Sequence, residues 1–205
     1  MLPSASPAAV ARVGDDLISR WSEPHRHYHT LDHLATVLRI ISDHAATASD
    51  PAAVTLAAWF HDAVYDPRRV DNEEASALLA EANLPVLQAP PDLVAEVARL
   101  VRLTASHDPT AGDRNGSLIT DADLAILAAD PDTYWRYTGA IRREYAHVPD
   151  AAFAAGRAAV LRNLLDLPVL FHTPALRARW EDAARHNITS ELAELRDRPL
   201  PYASI

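Results

Sequence analysis

The segment that most constrains this chain is Ala57–Asp62, where an uncharged apolar run ends in a histidine and an aspartate. From Leu56 to Phe60 no polar face remains on a helix, so the sequence predicts a helix that is buried on all sides. Burying an imidazole and a carboxylate costs free energy unless each has a partner. His61 and Asp62 are therefore either satisfied by hydrogen bonds in the core or part of a binding site there.

Composition limits the classes of protein to which the chain can belong. With 205 residues, of which 49% are hydrophobic, it suits a domain with a substantial core. It has no cysteine, which excludes disulfides and thiolate metal sites. No run of about 18 apolar residues is present, and Met1–Pro7 lacks a basic region followed by an apolar core. We therefore expect a cytoplasmic protein with no membrane contact and no signal peptide.

The charge pattern bears on the kind of partner. The net charge of −9 argues against broad binding to a nucleic-acid polymer. All 19 basic residues are arginines, so any phosphate contact would come from a planar, bidentate guanidinium.

Helical spacing punctuated by proline recurs along the chain, and strand signals are almost absent, which predicts an all-α fold. The first predicted helix covers residues 7–21, the second is capped by Thr30, and the third starts at Asp50-Pro51. The later predicted helices cover residues of about 71–82, 92–106, 118–129, 131–146, 149–165 and 175–196. We expect one all-helical domain over residues 1–205, with a core of about 20–130 and C-terminal helices of about 131–197.

Few polar residues interrupt the apolar helical stretches, and four of them are metal-competent: His33, His61, Asp62 and Asp123. Two imidazoles and two carboxylates leave open positions for water and substrate, and suit Mn²⁺, Fe²⁺, Co²⁺, Ni²⁺ or Zn²⁺ better than Ca²⁺. The identity of the divalent ion, Mg²⁺ included, stays open. The alternative is a core hydrogen-bond network among the four groups. Asp121 is a second candidate for the last ligand, although it also suits a helix start.

Residues beside these candidates carry further hypotheses. His29 lies four positions before His33, so it is a candidate general acid or phosphate contact, the alternative being a loop histidine. Asp66 and Glu73 follow the His-Asp pair and are candidates for orienting the bound water or the ligand histidines. Asn72 and Glu73 also suit the capping of their helix.

The order His33, His61-Asp62, Asp123 resembles the H…HD…D signature of the HD superfamily of metal-dependent phosphohydrolases. Tyr28–His33 is similar to the Tyr-His-Asn-x-x-His segment of that superfamily, with Thr30 in place of Asn, and Ala122-Asp123-Leu124 is similar to its last motif. In that segment the second histidine binds metal and the first is a candidate general acid. Some relatives have an additional histidine near the position of His107, which makes it a candidate site residue, as a general acid or a second-metal ligand.

A narrower resemblance covers roughly residues 20–195. It is carried by the segments 60–67, 71–77, 121–127, 141–145 and 156–157, which are similar to a bacterial family described as predicted HD-superfamily phosphohydrolases of unassigned substrate. Arg142 and Arg157 belong to these segments, and one of them is a candidate for holding a substrate phosphate, the alternatives being a solvated face or salt bridges.

The resemblance implies an HD-domain helical bundle with a C-terminal helical extension. It also implies hydrolysis of a small phosphorylated metabolite or nucleotide by metal-activated water. Two alternatives stay open: a metal- and ligand-binding sensor or scaffold without turnover, and a di-iron oxygenase that uses further ligands such as His107. The oligomeric state stays open.

Overall fold

The computed structural model describes residues 5–197. Within this range all regular structure is helical, which confirms the predicted all-α fold. The α-helices are α1 (Pro7–Trp21), α2 (Leu31–Asp43), α3 (Pro51–Phe60), α4 (Asn72–Asn83), α5 (Pro91–Leu103), α6 (Arg114–Asp123), α7 (Pro131–Glu144), α8 (Asp150–Asp166) and α9 (Pro174–Asp197). Short 3₁₀ helices cover Ala45–Thr47, Pro85–Leu87 and Leu124–Ala128.

No helix among the described residues is long and apolar enough to cross a membrane. The expectation that the chain has no signal peptide rests largely on Met1–Ser4, which lie outside the described residues.

Proline and aspartate set several helix starts, as the sequence predicts. Pro51 is the first residue of α3, and the Asp50 carboxylate accepts hydrogen bonds from the amides of Ala52 and Ala53. Thr30 occupies the position before α2, but its hydroxyl donates to the Tyr28 carbonyl and does not cap the helix.

The chain divides into two compact units, the first ending at Asp123 and the second beginning at Leu124. The expectation of a single domain over residues 1–205 stays a prediction. In the first unit, α3 packs against α2, α4, α5 and α6 and is therefore the central helix. Its side chains from Ala53 to Phe60 are mostly buried, but Trp59 is partly exposed, so the helix is not buried on all sides.

In the second unit, the 3₁₀ helix Leu124–Ala128 packs against α7 and α9, and α8 packs against α9. Asn187 fixes the start of this unit, because its side-chain amide donates to the carbonyls of Leu127 and Ala129, each at 2.9 Å. Trp135 on α7 is 41% exposed.

The helix predicted over residues 118–129 is two elements. The α-helix α6 begins four residues earlier, at Arg114, because the Asp113 carboxylate accepts a hydrogen bond from the Gly116 amide (2.8 Å) and caps the first turn. It ends at Asp123, where a 3₁₀ helix takes over. Gly116 lies where α6 approaches α5, since a Cβ atom there would lie 2.7 Å from Leu103 Cδ2.

Candidate metal centre

Three helices bring four donor side chains to one place in the first unit. His33 lies in the first turn of α2, His61 and Asp62 directly follow α3, and Asp123 is the last residue of α6. Each offers one ligand atom, and these four atoms all lie within 4.8 Å of one another. Both histidines are buried, and both aspartates are mostly buried.

The distances between donor atoms suit a single ion. The Nε2 atom of His33 lies 3.1 Å from Asp123 Oδ1 and 4.0 Å from Asp62 Oδ2. The Nε2 atom of His61 lies 3.3 Å from Asp62 Oδ2 and 3.5 Å from Asp123 Oδ1, and the two Nε2 atoms lie 3.4 Å apart. Donors of one ion with bonds of about 2.0–2.2 Å lie about 3–4.4 Å apart. The residues therefore fit a divalent metal ion.

A backbone contact sets the tautomer of His61. Its Nδ1 atom lies 2.8 Å from the carbonyl oxygen of Ala58, one turn back in α3. A carbonyl accepts only, so Nδ1–H donates and the neutral ring has its lone pair on Nε2. This lone pair points into the donor cluster, which is how a metal-ligating histidine is usually oriented.

The two imidazoles have opposite pKa shifts. Burial alone would lower the pKa of His61, but the charges of Asp62 and Asp123 outweigh it and raise that pKa well above its ordinary value. Burial dominates at His33, so its pKa is lowered despite the hydrogen bond with Asp123. Without a metal, His61 therefore carries the positive charge that the two carboxylates require.

Both carboxylates stay ionised. Burial opposes ionisation of Asp62 and of Asp123, but the facing charge of His61 outweighs it and lowers the pKa of both. His29 adds to the effect at Asp62, and hydrogen bonds from His107 and His33 add to it at Asp123. Two ionised carboxylates that are mostly buried attract a cation strongly.

His29 lies at the edge of the cluster. Its Nε2 atom is 3.9 Å from Asp62 Oδ2, and its side chain is 20% exposed. The ring packs against Tyr65 with centroids 4.2 Å apart and meets His33 edge to face. The imidazole is therefore placed between the donor atoms and solvent.

His107 holds the second oxygen of Asp123. Its Nε2 atom lies 2.9 Å from Asp123 Oδ2, while Asp123 Oδ1 faces the two cluster histidines. His107 follows the end of α5 with a φ of 52°, a left-handed conformation that non-glycine residues seldom adopt. A strained backbone at a residue that contacts the cluster is typical of functional sites.

The loop after the His-Asp pair is braced by α4. Asn72 accepts a hydrogen bond from the Asp66 amide (3.0 Å) and donates to the Asp66 carbonyl (2.9 Å). Ser76 makes the same pair of contacts with Val64. The Asp66 carboxylate accepts from the Arg68 amide and shapes the turn. Glu73 is half-buried in the first turn of α4. Catalytic roles for Asp66 and Glu73 stay predictions.

Arg142 and Arg157 belong to the second unit, where acidic groups engage both guanidiniums. Arg142 pairs with Asp150 at 2.6 Å and donates to two backbone carbonyls. Arg157 is paired with Glu191 at 2.8 Å and donates to the hydroxyl of Tyr137. These contacts are the ones expected if the two arginines form salt bridges. A role for either arginine in holding a substrate phosphate stays a prediction.

Asp121, the alternative to Asp123, is fully buried and is not among the grouped donors. Two residues that sequence reasoning did not select support the cluster instead. Trp21 packs on His61 with centroids 5.3 Å apart, and its Nε1–H donates to the carbonyl of Trp59 (3.0 Å). Arg26 is 4% exposed and donates to the carbonyl of Asp62 (2.8 Å). These contacts span 36 to 40 residues of chain, so no local pattern reveals them.

The chain matches no family model, and neither a curated protein nor a solved structure is significantly similar to it. The structure thus establishes an all-helical chain with a buried group of two histidines and two aspartates that could bind a metal ion.

Proposed function

We propose that this chain is an HD-type metal-dependent phosphohydrolase that acts on a small phosphorylated metabolite or nucleotide. The observation that carries the proposal is the convergence of His33, His61, Asp62 and Asp123 on one point. Their order along the chain is that of the HD signature, and their geometry suits a single divalent ion. A core hydrogen-bond network with a protonated His61 is the alternative for the same residues, and measuring bound metal distinguishes the two.

Four protein donors would also leave coordination positions for water and substrate. Helix ends supply the four donors, which would hold the ion, and His29 lies beside Asp62 with 20% of its side chain exposed. When bound, the ion supplies positive charge for a phosphoryl oxygen and lowers the pKa of a coordinated water. The chain's own contribution is to hold the two carboxylates ionised and the Nε2 atom of His61 turned toward the other donors.

The contacts of the two flanking histidines support different proposed roles. His107 is committed to Asp123 Oδ2 at 2.9 Å, so its role is to orient that ligand. The Nε2 atom of His29 lies 3.9 Å from Asp62 Oδ2 and is not among the grouped donors, which supports a role in contact with substrate. We assign His29 as the general acid that protonates the leaving oxygen.

The acidic character of the chain favours a small substrate. Because the chain has a net charge of −9, it would repel a phosphate polymer over much of the polymer's length. A single phosphoryl group would be attracted by the positive charge of the bound ion and would contact little of the acidic surface. The substrate class is therefore a phosphomonoester, phosphodiester or anhydride of low molecular mass.

A screen for phosphate release tests the proposal. Protein loaded with Mn²⁺, Mg²⁺, Co²⁺ or Fe²⁺ is incubated with a broad panel of phosphorylated metabolites and nucleotides. We expect metal-dependent release from at least one compound, and loss of that release in Asp62→Ala. Stoichiometric metal with no release from any compound would contradict the proposal and favour a sensor that binds metal without turnover.

A further inference from the structure

A buried arginine ties the candidate general acid to the metal-binding turn. Arg26 lies between α1 and α2, and only 4% of its surface is exposed. Its Nη1 atom donates to the carbonyls of Asp62 (2.8 Å) and His29 (3.2 Å), and Nη2 donates to that of Ala63 (3.3 Å). One guanidinium thus joins two segments that are far apart in the chain.

The surroundings fix this guanidinium in place. Its carbon lies 5.4 Å from the ring centroid of Trp21 and 5.3 Å from that of Tyr65. Its Nε atom donates to Glu23 at 3.0 Å. Rings of this kind stabilise a cation over their faces, and Trp21 also packs on His61.

The backbone carbonyls that accept from the Arg26 guanidinium belong to His29, Asp62 and Ala63, that is, to two candidate site residues and the residue after them. We propose that Arg26 is a positioning residue, which holds the Asp62 turn and the His29 segment at a fixed separation. The ligand Asp62 and the acid His29 are then aligned before substrate arrives. This inference rests on the proposed function for the role of His29, but its effect on Asp62 is measurable with metal alone.

The four acceptors around Arg26 suit the planar guanidinium of an arginine. A guanidinium has five N–H donors in one plane and serves three carbonyls and a carboxylate together. Lysine keeps the charge but has a single compact ammonium that cannot serve all four acceptors. Arg26→Lys therefore separates the effect of geometry from the effect of charge.

Arg114 provides a matched control in the same unit. It also donates to two backbone carbonyls, those of Thr47 and Ala46, at 2.6 and 2.9 Å. It is the first residue of α6, about 13 Å along the helix from Asp123. Arg114→Gln loses the same kind of bonds without touching the cluster.

The test is a Co²⁺ titration of wild-type protein, Arg26→Gln, Arg26→Lys and Arg114→Gln, each checked for helical content by circular dichroism. Visible absorption of bound Co²⁺ reports the coordination geometry. We expect Co²⁺ affinity to fall about 10- to 100-fold in both Arg26 variants, with an altered spectrum, as when other supports of metal ligands are removed. Arg114→Gln should keep the wild-type affinity and spectrum even if its melting temperature falls.

The other possible outcomes overturn this inference, the proposed function or both. Wild-type affinity and spectrum in Arg26→Gln would overturn the inference alone. If both Arg26 variants fail to fold while Arg114→Gln folds, Arg26 serves the fold and the inference is overturned. Wild-type protein that binds Co²⁺ but hydrolyses nothing contradicts only the proposed function. Wild-type protein that binds no Co²⁺ overturns both.

Discussion

The Nε2 atoms of His33 and His61 lie 3.4 Å apart, although 28 positions separate the two residues in the chain. Because His61 donates its Nδ1–H to Ala58, its neutral ring turns a lone pair toward His33. Two ring nitrogens facing each other beside two carboxylates are stable with a proton or a cation between them. The same geometry therefore accepts either a protonated His61 or a metal ion, which makes the site dependent on pH.

The first prediction concerns this dependence. In metal-free protein the pKa of His61 is raised, so its contribution to stability is full below the ordinary value of 6.5 and is lost as pH rises through the raised value. The pKa values of Asp62 and Asp123 are lowered from 3.8, so their contribution is present above that value and is lost as pH falls through the lowered values. The pKa of His33 is lowered by burial, so its contribution to stability is present above 6.5 and is lost as pH falls through the lowered value. Metal-free protein should therefore be most stable near pH 6.5.

Above pH 6.5 the metal-free protein loses stability as pH rises. The stabilisation by metal should instead grow with pH, because His61 must lose its proton to bind the ion. The rise in melting temperature on adding Mn²⁺ or Co²⁺ to chelator-treated protein should therefore grow from roughly pH 5.5 to roughly pH 8. Thermal melts by circular dichroism measure it. A metal-induced rise that is the same across this range would show that His61 is not a ligand.

Replacing His29 should affect turnover more than metal binding. His29→Gln removes a proton donor that lies outside the four grouped donors. We expect kcat to fall about 100- to 10,000-fold with metal content unchanged. His25→Gln is the control, because His25 lies in the same loop and its side chain is 44% exposed. Loss of metal from His29→Gln would instead identify His29 as a ligand.

The strained backbone at His107 gives a prediction from two variants. Both His107→Ala and His107→Gly lose the contact with Asp123, so both should bind metal about 10- to 100-fold more weakly. Glycine adopts a φ of 52° freely, whereas alanine does so at a cost of about 1–2 kcal/mol. The glycine variant should therefore have the higher free energy of unfolding, measured in urea. Equal stabilities would indicate that the backbone relaxes at this position.

Gly116 controls how closely the helix that carries Asp123 approaches α5. Gly116→Ala places a methyl group 2.7 Å from Leu103 Cδ2 and against the Asp113 carboxylate. We expect the free energy of unfolding to fall by about 1–3 kcal/mol. Gly14→Ala is the control, since a Cβ atom there meets nothing within 4 Å in the helix α1, and it should stabilise by about 0.5–1 kcal/mol. A neutral Gly116→Ala would show that this contact relaxes.

The donor cluster was predictable because its members break apolar helical periodicity. His33, His61, Asp62 and Asp123 each interrupt a buried stretch, and burial of such groups needs a partner. Proline positions likewise indicated most helix starts, since proline suits the first helical turn. Local sequence carries both signals.

The supporting contacts were not predictable in the same way. Arg26 serves residues that are 36 and 37 positions away, and nothing in its loop distinguishes it from a surface arginine. The left-handed backbone of His107 follows the end of α5, where its amide donates to the carbonyl of Leu103 (2.9 Å), and no glycine or asparagine marks this position in the sequence.

We propose that His33, His61, Asp62 and Asp123 bind a divalent metal ion, and the metal content of the purified protein tests this most directly. Elemental analysis is made on anaerobically purified wild-type protein, on Asp62→Ala, and on Asp32→Ala as a control that changes an exposed aspartate beside His33. We predict close to a single divalent ion per chain in the wild type and in Asp32→Ala, and almost none in Asp62→Ala. Stoichiometric metal in folded Asp62→Ala would contradict the assignment.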